Sequence, residues 1–136
     1  MKVLWVSRHN PLKGQIDALR EKLGDDVEVF VLPRQVANAE EVAQAARGMG
    51  AAYIVPVLPL SIIARLAELS GKYGFNILFA RMEAVATVKE GELVEKIVRE
   101  KPEYRTAVGY ADGTVRVYEF KGFERLKEVK LVTEPF

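Results

Sequence analysis

The chain has 136 residues, of which 49% are hydrophobic, and carries 20 Lys and Arg against 19 Asp and Glu, so it can bury a core as one compact domain. Its near-neutral balance excludes bulk charge as a reason to bind nucleic acid or an anionic membrane. Because it has no cysteine and one histidine, disulfides, thiolate sites, cysteine nucleophiles and multi-histidine metal centres are excluded.

No apolar stretch of the sequence approaches the about 20 residues that a membrane-spanning helix needs, so we expect no membrane partner and a cytoplasmic protein. Three Asn and three Gln stand beside ten Lys, ten Arg and fifteen Glu. Few amides and many charges are typical of heat-adapted proteins, which indicates a thermophilic source. Ordinary drift in the composition of a short chain is the alternative.

Strand and helix patterns alternate from the start of the chain. Residues 2–6 form an apolar run typical of a strand that is buried on both faces. Asn10 and Pro11 predict the cap and first position of a helix, whose apolar residues between 12 and 23 recur every three or four positions. Gly24 predicts its end.

The same alternation continues to residue 80. A second strand over 27–32 ends at Pro33, and Asn38 with Glu41 predicts the capped start of a second helix that ends at Gly50. The remaining predicted elements are a third strand over 51–55, a third helix that begins after Pro59 and ends at Gly71 or Gly74, and a fourth strand over 75–80.

This order predicts a Rossmann-like α/β fold: a parallel sheet in the flavodoxin-like order 2-1-3-4 with helices on both faces. After residue 89 we expect a helix over 92–101 and an antiparallel hairpin, since Asp112-Gly113 separates strand-forming runs over 104–110 and 114–120. A further strand is predicted over 128–133. We therefore expect one domain over 1–136, with a βαβαβαβ core over 1–88 and an extension over 89–136.

The carboxyl edge of such a sheet is where ligands bind. Arg8, His9 and Asn10 follow the first predicted strand, Arg34 follows the second and Arg81 follows the fourth. Guanidinium groups recognise phosphate and carboxylate, so these five residues are the candidate site for an anionic small molecule. The alternative is that the arginines form surface ion pairs with nearby glutamates.

A catalytic role for His9 is the weaker hypothesis. Ser7 lies two residues away on the same predicted strand face, which would allow a Ser–His pair, yet no acidic residue that would orient the imidazole can be identified. The glycine motifs do not have the strand-to-helix context that nucleotide cofactors require, so no cofactor and no metal are predicted.

Residues 116–127 interleave aromatic and basic side chains, a pattern that single-strand nucleic-acid binders use. Packing of the hairpin explains the same aromatics, so nucleic acid is not the expected partner. The favoured function is a non-catalytic binding module for an anionic ligand, with nucleotide-derived molecules as candidates. Self-association as a dimer through the C-terminal strands is the alternative, and a His-dependent hydrolase or nuclease comes last, so enzymatic activity is left open.

Overall fold

The structure is a computed structural model that describes residues 1–33, 35–89 and 91–136, with only the backbone of Glu92. These residues form strands β1 Lys2–Val6, β2 Glu28–Leu32, β3 Tyr53–Pro56, β4 Asn76–Lys89, β5 Arg105–Gly109 and β6 Thr114–Leu126, and helices α1 Lys13–Leu23, α2 Ala39–Met49, α3 Leu60–Tyr73 and α4 Glu92–Glu100. No helix among them is both long and apolar enough to span a bilayer.

The six strands form one sheet in the order β2-β1-β3-β4-β6-β5. β1 pairs in parallel with β2 and β3, β3 pairs in parallel with β4, and β5 pairs antiparallel with β6. At the carboxyl edge, Val6 stands opposite Leu32 on one side and Pro56 on the other. The predicted fold class is confirmed: the chain has a Rossmann-like α/β fold with antiparallel C-terminal strands.

The chain divides into two compact units. Unit 1 contains Met1–Asn10, Asp26–Phe79 and Glu124–Phe136, and unit 2 contains Pro11–Asp25 and Ala80–Phe123. The single domain expected from the sequence stays a prediction, and the two units are described in turn.

The core of unit 1 lies between the parallel strands and two helices. Leu4, Ile54 and Ile77 project from β1, β3 and β4 into a buried cluster that also holds Val42 of α2 and Leu66 of α3. Val3, Leu4, Trp5 and Val6 are all buried, so β1 is covered on both faces, as a continuous apolar run predicts. Burial of such side chains contributes about 1.5–3 kcal/mol each.

The ends of the unit 1 helices follow the sequence signals closely. Asn38 caps α2: its side-chain oxygen accepts a hydrogen bond from the Glu41 N–H at 2.9 Å. Gly50 and Gly74 end α2 and α3 with φ values of 71° and 75°, a left-handed conformation that glycine adopts without steric cost.

Unit 2 is organised around the hairpin of β5 and β6. The Asp112-Gly113 turn forms as predicted, since the Asp112 carboxylate accepts from the Thr114 N–H at 3.0 Å and Gly113 has a φ of 85°. α4 packs against β5, and the Arg105 guanidinium donates to the Ile97 carbonyl oxygen at 2.8 Å. A cation at the last turn of a helix satisfies its free carbonyl groups.

Four predicted elements differ from the structure. α1 begins at Lys13 rather than at Pro11, because the Gln15 side chain accepts from the Leu12 N–H at 2.8 Å and so makes Leu12 the cap. β4 continues past residue 80 to Lys89, and β6 continues past residue 120 to Leu126. Residues 128–133 form no strand; the segment is exposed, and no strand of the described chain pairs with it.

Candidate functional site

The first three residues of the predicted anion site lie together because they are consecutive. Arg8, His9 and Asn10 follow β1 in unit 1, and all three are exposed. Ser7 before them is buried, and its hydroxyl oxygen accepts from the backbone N–H of His9 at 3.2 Å. This bond fixes the loop, and it involves the main chain of His9 rather than the imidazole.

The other two arginines of the predicted site lie elsewhere. Arg34 lies outside the described residues. Arg81 is exposed and belongs to unit 2, within β4 rather than after it. The expectation that Arg81 follows the fourth strand is wrong, because β4 runs on through residues whose alternate side chains are half-buried, as Met82, Ala86 and Val88 are. Convergence of the three guanidinium groups stays a prediction.

A groove of about 720 Å³ lies within unit 2, and the sequence did not point to it. Its walls come from α1, from the turn between α4 and β5, and from β6. The lining residues are Gly14, Asp17, Ala18, Glu21, Glu100, Lys101, Pro102, Glu103, Tyr104, Glu119, Phe120, Lys121 and Gly122.

One face of α1 forms a wall of this groove. Gly14, Asp17, Ala18 and Glu21 recur at spacings of three and four, so they share a helix face. Gly14 allows close approach: its N–H donates to the Glu103 carbonyl at 2.9 Å, and a Cβ on it would lie 2.6 Å from the Tyr104 ring. Any larger residue would force α1 away from this wall.

Glu119 is the buried charge of the groove, 5% exposed. Its carboxylate accepts hydrogen bonds from the Lys121 ammonium and, at 2.9 Å, from the Arg105 guanidinium, and Lys101 lies 3.6 Å away. The bond from Lys121 and then the bond from Arg105 lower the pKa of Glu119 to about 2. A carboxylate held by such bonds stays ionised, and the three cations around it are paired with it.

The rim of the groove is acidic. Besides the buried Glu119, four carboxylates line the groove, those of Asp17, Glu21, Glu100 and Glu103, and the Arg105 guanidinium lies 3.0 Å from Glu100. The Lys13 ammonium lies 2.9 Å from Asp17 and 3.7 Å from Glu103, and the hydrogen bond to Asp17 raises the pKa of Lys13. Glu21 is exposed, and no ion pair of the described chain involves it. The rim therefore offers carboxylate oxygens to a cation.

The aromatic side chains of residues 116–127 make contacts within the hairpin. Phe120 is buried and meets Phe123 edge to face with ring centres 5.0 Å apart. Tyr118 and Tyr110 share a hydrogen bond of 2.7 Å, and the Arg116 guanidinium lies 5.0 Å from the Tyr110 ring centre. These contacts account for the aromatics by packing.

In the described ranges, no group of three or more His, Asp or Glu side chains is placed to hold a metal ion. The chain matches no protein-family model and no curated protein.

Among solved structures, the chain is similar to the crystal structure of the release-factor-specific protein-(glutamine-N5) methyltransferase from Alicyclobacillus acidocaldarius. The two chains are 18% identical, the match covers 88% of this chain and 78% of that chain, and the TM-score is 0.39. At that identity the likeness concerns the fold, and methyl transfer is a property of that protein.

That solved structure is an enzyme, whereas the function favoured from the sequence is a non-catalytic binding module. The prediction of a non-catalytic binding module for an anionic, nucleotide-derived ligand is wrong. The prediction rested on arginines near a sheet edge. Because the same fold is found in catalysts and in binding proteins, those arginines could not exclude catalysis. A Ser7–His9 pair stays a prediction, with the backbone bond as the contact between them.

Proposed function

We propose that the groove of unit 2 binds an organic cation with one or more primary amines. The observation that carries this proposal is the acidic α1 side of the groove, which measures about 720 Å³: Asp17 and Glu103 share only the exposed Lys13, and Glu21 takes part in no ion pair of the described chain. The other two lining carboxylates are already engaged, Glu100 by Arg105 and Glu119 by Arg105, Lys101 and Lys121. That volume suits a small organic ligand, since such sites measure about 300–1,000 Å³.

The resident lysine supports an amine as the ligand. Lys13 already places an ammonium group between Asp17 and Glu103, which demonstrates that this pair of carboxylates accommodates one. Lys13 is held at its tip alone, with 64% of its side chain exposed, so a ligand amine can take its place. Exchange of one ammonium for another leaves the charge at this position unchanged.

The remaining walls suit the carbon chain of such a ligand. Tyr104 is 40% exposed, and Ala18 and Pro102 add apolar surface beside it. An ammonium near the face of a tyrosine ring gains about 0.5–1 kcal/mol at an exposed site. Glu21 supplies a further carboxylate on the α1 wall.

Isothermal titration calorimetry with spermidine as the probe tests the proposal, at 0.15 M salt so that charges beyond about 8 Å are screened. We expect saturable binding that Glu21→Gln weakens several-fold and Lys13→Ala strengthens, because the latter removes the competing ammonium. Two variants of equal charge change serve as controls: Glu28→Gln on β2 and Lys22→Ala on α1. Both residues are exposed and lie outside the groove lining.

Specific outcomes contradict this assignment. Absence of saturable binding would exclude an amine ligand of this kind. Tighter binding of citrate than of spermidine would show that the groove prefers anions to cations. Equal effects of Glu21→Gln and Glu28→Gln on the affinity would show that binding depends on the net charge of the protein and not on the groove.

A further inference from the structure

We infer that the free edge of β5 is a dimer interface, at which β5 pairs antiparallel with β5 of a second copy about a two-fold axis. This surface is separate from the amine groove and does not depend on it. Within residues 1–33, 35–89 and 91–136, β5 is the last strand in the sheet order and pairs on one side only, with β6.

The hairpin register shows which backbone groups of β5 face outward. The Phe120 N–H donates to the Tyr104 carbonyl at 2.8 Å, and the Tyr110 N–H donates to the Thr114 carbonyl at 2.9 Å. In an antiparallel pair, hydrogen-bonded and non-hydrogen-bonded positions alternate. The backbone N–H and C=O groups of the even-numbered residues of β5 therefore point towards β6, whereas those of Ala107 and Gly109 point towards the open edge.

The outward groups of two copies match each other. Around a two-fold axis at Ala107, each Ala107 donates its N–H to the Ala107 carbonyl of the other copy. The Gly109 N–H of each copy then reaches the Arg105 carbonyl of the other. The Arg105 N–H is already used, since it donates to the Lys101 carbonyl at 3.0 Å within its own chain. Four hydrogen bonds result, in a register that the two-fold symmetry requires.

The side chains are compatible with the same register. Arg105 stands opposite Gly109 and Thr106 stands opposite Val108, so no like charges meet across the axis. Val108 is 42% exposed, and Ala107 is exposed as well. Residues 106–109 contain neither a charged residue nor a proline, the two features with which proteins usually block an open edge.

Reciprocal charges at the axis test the interface. Analytical ultracentrifugation of the full chain over a range of concentrations should give a species of twice the 15.2 kDa chain mass. Ala107→Lys and Ala107→Glu should each shift the protein to monomer, because like charges then face each other. An equimolar mixture of the two should restore the dimer. Ala111→Lys, an exposed change in the hairpin turn, should leave it intact.

Circular dichroism verifies that each variant folds, and amide hydrogen exchange gives a second readout. The Ala107 and Gly109 amides should become protected as protein concentration rises, while the Val108 amide is protected at every concentration. A monomer at all concentrations would overturn the inference. So would a dimer that Ala107→Lys leaves unchanged, or a mixture of the Lys and Glu variants that stays monomeric.

Discussion

Replacement of Gly14 by alanine should destabilise the protein although alanine is the better helix former. Inside an exposed helix the exchange of glycine for alanine gains about 1 kcal/mol. At Gly14, however, the new Cβ would lie 2.6 Å from two ring carbons of Tyr104 and 2.9 Å from the Glu103 carbonyl oxygen. Carbon atoms in contact prefer about 3.5–4.0 Å, so the Tyr104 ring and α1 must separate by about 1 Å, and the Glu103 carbonyl must also give way.

The forced movement should outweigh the gain in helix propensity. Overpacking of this kind costs about 1–3 kcal/mol, and displacement of α1 also lengthens the 2.9 Å bond from the Gly14 N–H to Glu103. We therefore expect a net loss of up to about 2 kcal/mol in the free energy of unfolding. Urea denaturation followed by far-ultraviolet circular dichroism measures it.

Two other helical glycines provide matched controls. A Cβ on Gly48 of α2 or on Gly71 of α3 would meet nothing within 4 Å. Gly48→Ala and Gly71→Ala should therefore leave the protein as stable as the parent or stabilise it by up to about 1 kcal/mol. Stabilisation of similar size by Gly14→Ala would refute the close approach of α1 to Tyr104.

Two further predictions concern charge and capping. Because the pKa of Glu119 is lowered from 4.5 to about 2, its stabilising contribution is complete above pH 4.5 and is lost as the pH falls towards 2. The denaturation midpoint of Glu119→Gln should consequently fall less between pH 5 and pH 2 than that of the parent, and an equal fall would contradict the ion pairs. Asn38→Ala should cost about 1 kcal/mol by removal of the α2 cap, measured by urea denaturation. Asn10→Ala should cost nothing measurable, because Leu12 rather than Asn10 caps α1; equal losses would reject the observed helix starts.

The parallel half of the fold could be predicted because its signals are local. A continuous apolar run marks β1, and Gly50 and Gly74 mark helix ends through conformations that other residues avoid. The error at the start of α1 has a physical cause, since a side chain three residues downstream, that of Gln15, competes with the expected Asn10 cap. Such competition depends on geometry that spacing alone does not reveal.

The groove could not be predicted because its parts are far apart in the chain and polar. Gly14 and Tyr104 meet only in the folded protein, and the sequence records no sign of that contact. One signal was present: in β6, Glu119 occupies the same face as Val117, an inward position where an acid requires a cation. Its partner Arg105, directly opposite in the hairpin, follows from the register of the turn.

The lining of the groove is completed only late in the synthesis of the chain. Its α1 wall leaves the ribosome early, whereas the other lining residues follow only from Glu100 onward. A nascent chain that has emerged as far as β4 therefore carries an acidic wall and no binding cavity. Binding of the proposed amine would therefore require the chain up to Gly122 and would report that the hairpin has closed.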